Sequence, residues 1–178
     1  MTDINKEGDS ATLWDFAVEI YGRQGVADAC LDLQDRCGLD VDLLLFAVWS
    51  AVAGPGQLDV GAFRECIELT DAWREQLVKP LRALRRRSGG GFDRIPAATT
   101  KAIGEQLQAA ELAAERAELE LLENWAAARE PSGPGSEPAA AAASNLVAYL
   151  AAADVDTSAA AVAMRPLLAA AFPEPSGA

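Results

Sequence analysis

Seven cations, Lys79, Arg82, Arg85, Arg86, Arg87, Arg94 and Lys101, fall within 23 residues that hold a single acid, Asp93. Arginine forks at this density suit a phosphorylated ligand, an RNA backbone or an acidic protein surface. The same cations also complement the negative end of a helix, or pair with acidic residues of the chain itself. The window carries +6 in a chain of net charge -12. Phe92 is the only aromatic residue in it, which leaves little for base stacking and places nucleic acid behind a protein partner.

A second set of residues could form a pocket. Trp14, Trp49, Trp73 and Trp125 each lie on an otherwise apolar helical face, where tryptophan usually serves core packing and sometimes lines a site. Trp14, Asp15, Asp42, Trp49, Trp73 and Arg74 would supply apolar walls and a few polar groups. Asp28, Asp32 and Asp35 share one face of a helix and could in principle hold a divalent cation, but a lone acidic stripe is ordinarily a solvated face.

The chain has no histidine, which removes the usual general base near neutral pH and the commonest transition-metal ligand. Cys30 and Cys37 stand about 10 Å apart along a helix, too far to bridge. With Cys66 they read as reduced core thiols. Phosphate-loop and dinucleotide fingerprints are absent. The expectation is therefore no metal and no cofactor, and a protein leaning away from catalysis.

The elements that position these groups are helical. Alanine contributes 38 residues, a composition that favours helix over strand. Thr12 can cap a helix over 12–21 that Gly22 would end in a left-handed conformation, and a second helix, 26–37, ends at Gly38. Asp40 caps a third, 41–53, apolar all round and so central. Asp59 begins a long fourth helix reaching about Arg87, with Pro80 predicting a kink near 76–79. A fifth helix, 97–129, carries Ile103, Leu107, Ala110, Ala114, Ala117, Leu121, Trp125 and Ala128 on a near-heptad, coiled-coil-like seam. Ser88-Gly89-Gly90-Gly91 would fold helix 5 back along helix 4 as an antiparallel hairpin.

Residues 131–138 have linker composition, and 17 of the last 40 residues are alanine. The organisation expected is a disordered 1–10, a helical bundle over 11–130, the linker, and an Ala-rich, partly helical appendage over 139–178. Whether that appendage docks is left open. No apolar run approaches the roughly 20 residues that a membrane span needs. The polar opening MTDINKEGDS lacks a secretory h-region, so a cytoplasmic location is expected.

Leu13-Trp14-Asp15-Phe16-Ala17, Tyr21, Gly25-Val26, Cys30-Leu31, Leu33-Gln34-Asp35, Gly38, Val41 and Leu43-Leu44-Leu45-Phe46 through Trp49 form a distinctive opening. Together with Trp73-Arg74 and Pro80-Leu81-Arg82-Ala83-Leu84-Arg85, it resembles a family of short bacterial proteins catalogued only as a domain of unknown function, over about residues 11–125. The resemblance implies a compact helical protein and no activity, substrate or catalytic residue.

The fold expected is thus an all-α bundle of about five main helices with a long helix 4/helix 5 hairpin. The function expected is a non-enzymatic interaction or scaffold protein that meets an acidic protein partner through the 79–101 cluster, with self-association open. Two alternatives stand beside it: a small-molecule binder or enzyme with an apolar pocket among helices 1, 3 and 4, and weak RNA or phosphate-ligand binding through the basic cluster.

Overall fold

The computed structural model describes residues 12–131 and 137–173, with the side chains of 159 and 161 left aside. The expected disordered 1–10, the centre of the linker (132–136) and the last five residues lie outside that range. Among the described residues every regular element is helical: α1 (Leu13–Tyr21), α2 (Val26–Cys37), α3 (Val41–Val52), α4 (Val60–Trp73), a π-helical turn (Arg74–Val78), α5 (Lys79–Gly89), α6 (Ala97–Ala127), α7 (Pro138–Ala152) and α8 (Thr157–Ala171). None is long and apolar enough to cross a membrane.

Side chains that accept the first free amides set the helix starts, as the sequence implies. Thr12 accepts from the Asp15 amide, Asp40 from Asp42, Asp59 from Ala62 and Asp156 from Ser158. Gly38 ends α2 in the left-handed region at φ 69°. Gly22, expected to do the same for α1, stays right-handed at φ -73°, because its amide still reaches Val18 and the chain turns only at Gly25, φ 80°.

The apolar α3 sits at the centre, packed against α1, α2, α6 and α7. Leu43, Leu44, Phe46 and Val48 are fully buried. Phe46 meets Phe63 and Trp125 edge-on, with ring centroids 6.3 and 5.9 Å apart, a favoured aromatic geometry. The helices beyond the linker join this core. Leu146, Tyr149 and Leu150 of α7 are buried against α3 and α4, and α8 packs on α2.

The expected long fourth helix is divided. Pro80 has no N–H to give to the carbonyl of Gln76, and the chain adapts just upstream by widening one turn, so that the Lys79 amide bonds back to Arg74 O. The predicted kink is therefore a π turn, and it carries Arg74.

The α5–α6 hairpin forms, but the face that α6 buries is rotated from the expected seam. Thr100, Glu111, Ala114, Glu118, Leu122 and Ala126 are buried, whereas Ile103 and Leu121 are 47% and 37% exposed. Two glutamates occupy the inward stripe: arginines of α5 meet Glu111 there, while Glu118 lies beside the carboxyls of Asp40 and Asp42.

Candidate functional site

A cleft of about 290 Å³ opens between α1, α2, α3, α5 and α6. Its apolar walls are Trp14, Tyr21, Leu31, Leu45, Leu112 and Leu119, and its polar lining is Gln34, Asp42, Arg82, Arg85, Arg86, Gln108, Glu111 and Glu115. Helical periodicity accounts for this mixture. Asp42 lies in the first turn of α3, while Glu111, Glu115, Glu118 and Leu122 recur at three- and four-residue steps on the inward face of α6.

The basic and acidic walls are tied together. Arg82 reaches Glu111 at 2.9 Å and Glu115 at 2.7 Å, and Arg85 donates from Nε and Nη2 to the same Glu111. Glu111 is 5% exposed. Burial acts to raise its pKa, but the hydrogen bonds from Arg85 and Arg82 prevail and hold it below the usual glutamate value.

Behind the cleft floor lies a tighter acidic group. One oxygen from each of Asp40, Asp42 and Glu118 falls within 4.8 Å of the other two, and all three residues are buried. Asp40 Oδ1 accepts from the Asp42 amide at 3.0 Å and Oδ2 from Arg74 Nη1 at 3.1 Å. Glu118, 1% exposed, can bond the Asp40 carboxyl only while one of the two keeps a proton, and when it is ionised both its oxygens lack a hydrogen-bond partner. Arg74 Nε is also buried without one.

Burial raises the pKa of Asp42 well above the ordinary range, and the negative charges of Asp40, Glu118 and Glu115 add to the effect against Arg82. The Glu118 carboxyl is pushed up by burial and then by Asp40, with Arg74 opposing. Carboxyls held in this way donate hydrogen bonds or protons at neutral pH unless a cation takes the place of the proton.

The structure places the sequence-derived candidates unevenly. Trp14 and Asp42 line the cleft, and Arg82, Arg85 and Arg86 of the basic set join them there. Arg74 holds Asp40. Asp15 is exposed and engaged with Thr12, Trp49 is buried beside Phe46, and Trp73 gives its Nε1–H to Ala114 O at 3.0 Å. Lys79 pairs with Glu75, and Arg86 lies 3.7 Å from Asp35. Arg87 covers the Phe92 ring at 4.8 Å. Arg94 is exposed at φ 68°, and Lys101 is exposed, 3.9 Å from Glu105.

Sequence reasoning missed Glu111, Glu115, Glu118 and Tyr149, and took Asp40 for a helix cap alone. A signal was present for the glutamates. Glu111 and Glu118 share a helical face with Ala114 and Leu122, and acids in register with an apolar stripe are unusual.

A family model described as protein of unknown function, DUF2390, matches residues 12–122, a stretch that includes the acidic trio, Arg74, Arg82 and the cleft. No curated protein and no solved structure matches the chain.

Proposed function

The chain belongs to the DUF2390 family, proteins of unknown function, and we propose that this member binds a small molecule in the cleft, with an apolar body against Trp14, Tyr21, Leu45 and Leu119 and a polar head at Asp42. One observation carries this reading: Asp42 is an acid on the most apolar helix of the protein, 7% exposed, and it forms part of the cleft lining. A carboxyl in such a place costs folding free energy unless something meets it.

The cleft volume lies at the lower end of the range for ligand sites, which favours a ligand of metabolite size over a cofactor. With Asp42 kept protonated by burial, the charged lining is Arg82, Arg85 and Arg86 against Glu111 and Glu115, and Arg82 and Arg85 are already engaged by those glutamates. That near-balance favours a neutral or zwitterionic head over a polyanion.

The test is a fragment library screened by protein NMR. Amides of Trp14, Leu31 and Leu112 should shift together for the fragments that bind. Leu112 is 51% exposed at the cleft wall, so Leu112→Trp should occlude the opening and abolish those shifts without unfolding the bundle. Fragment shifts that survive in Leu112→Trp would sink the reading.

A second reading is supported by exposed apolar side chains at the hairpin tip. Leu84, Phe92, Ile95 and Ile103 are each at least 45% exposed, near Arg87, Arg94 and Lys101 in the chain. Such a basic, apolar end suits an acidic protein partner. Charge reversal at Arg87 and Arg94, neither of which touches the acidic wall of α6, should remove co-purifying proteins; an unchanged set would end this reading. Labelled RNA that fails to bind at low salt would likewise dismiss the nucleic-acid alternative.

A further inference from the structure

The acidic trio behind the cleft floor has too little positive charge around it. Asp40, Asp42 and Glu118 would carry three negative charges if ionised, and Arg74 is the cation bonded to the group. Once ionised, Glu118 has no donor on either oxygen, because its polar neighbour is the Asp40 carboxylate, and almost no water reaches it. A native core rarely leaves a carboxylate in that state without a partner that the polypeptide does not supply.

We propose that Asp40, Asp42 and Glu118 form a binding site for one hard divalent cation of the Mg²⁺, Mn²⁺ or Ca²⁺ class. The ligand atoms are all oxygen, with no histidine in the chain, and such sets select hard cations over zinc. Metal–oxygen bonds of about 2.0–2.6 Å put opposed ligand oxygens about 4–5 Å apart, which accommodates three oxygens that all lie within 4.8 Å of one another. A dication offsets the two negative charges that Arg74 leaves uncompensated.

The surroundings fit this role. The backbone amide of Asp42 and the guanidinium of Arg74 hold the two oxygens of Asp40 in place, as outer partners of metal-binding carboxylates do. Asp42 borders the cleft, so waters completing the coordination shell can enter from that side. The site does not depend on the cleft accepting an organic ligand.

The test uses the full chain after chelator treatment and dialysis, titrated with MnCl₂ while electron paramagnetic resonance reports free Mn²⁺. One Mn²⁺ per chain should disappear from the free signal at micromolar concentrations and return on addition of excess Mg²⁺ or Ca²⁺. Moderate NaCl separates this binding from screened association with the acidic surface. Glu118→Gln keeps the side-chain shape and should weaken the Mn²⁺ site at least tenfold, while the metal-free variant melts no lower than the parent. An undiminished free signal with the parent protein, or equal affinity in Glu118→Gln, overturns the proposal.

Should Glu118→Gln fail to fold, the unmodified chain still decides the matter through Tb³⁺. Tyr149 accepts a hydrogen bond from the Asp40 amide, and its ring should sensitise bound Tb³⁺ emission that Mn²⁺ then quenches by displacement. Absence of sensitised emission counts against the site as firmly as an unaltered Mn²⁺ signal.

Discussion

The hydroxyl of Tyr149 accepts a hydrogen bond from the backbone N–H of Asp40 at 2.8 Å, across 109 residues of sequence. Tyr149 is 1% exposed and stands on α7, beyond both the linker and the family match; Asp40 starts α3 and belongs to the acidic trio. The segment after the linker thus takes part in building the site.

Tyr149→Phe should retain the packing of the ring on Phe63, whose centroid lies 5.7 Å away, and remove only the acceptor. A buried amide left without a partner costs about 1–3 kcal/mol. Urea denaturation should show a loss in that range with an unchanged slope. A variant as stable as the parent would mean that another group or a water satisfies Asp40.

Asn145 supplies a second tie from α7 and a sharper test. It is fully buried, donates from Nδ2 to Ala47 O and Gly56 O at 3.0 Å each, and accepts from the Leu58 amide at 2.7 Å. Asn145→Leu preserves volume but strands three backbone groups at the α3–α4 corner. Destabilisation of about 3 kcal/mol or more is expected, larger than for Tyr149→Phe. Equal stability to the parent would show that the corner rearranges.

Much of the fold is legible in the residues themselves. Thr12, Asp40, Asp59 and Asp156 announce helix starts by a local rule, and the run Leu43–Trp49 announces a central helix by its lack of a polar face. The candidate site is far less legible, because its acids are paired across long sequence separations. Glu111 looks like surface until Arg82 and Arg85 are seen to converge on it, and the burial of Glu118 depends on α6 turning that face inward. The offset seam has the same origin: hydropathy alone prefers Ile103 and Leu121 inside, while the arginines of α5 draw in the stripe that carries the glutamates. Nothing local in Ala-rich α7 marks Asn145 or Tyr149 as core polar anchors.

The clasp between α5 and α6 predicts a pH dependence. Glu111 has a folded pKa below its unfolded value, which is about 4.3 for a free glutamate, since Arg85 and Arg82 outweigh burial. Its contribution is present above the unfolded pKa and lost as pH falls through the folded one. Glu111→Gln should therefore lower stability by about 1–3 kcal/mol at pH 7, with the gap to the parent closing below pH 4. A gap that persists unchanged in acid would show that shape, and not charge, holds the clasp.

Thiol reactivity offers a check on packing that depends on neither proposed ligand. Cys30 and Cys66 are fully buried, and their thiols are pushed up to about 12, for both chiefly by burial, with Asp42 adding to the effect at Cys30. Cys37, in the last turn of α2, is only half-buried. Attack on a disulfide reagent requires thiolate and access together, so the native protein at pH 8 should release one equivalent of chromophore from an aromatic disulfide quickly and the other two only on unfolding. Cys37→Ser should abolish the fast phase. Two fast equivalents in the parent protein would mean that α2 or α4 opens far more readily than its packing on α3 implies.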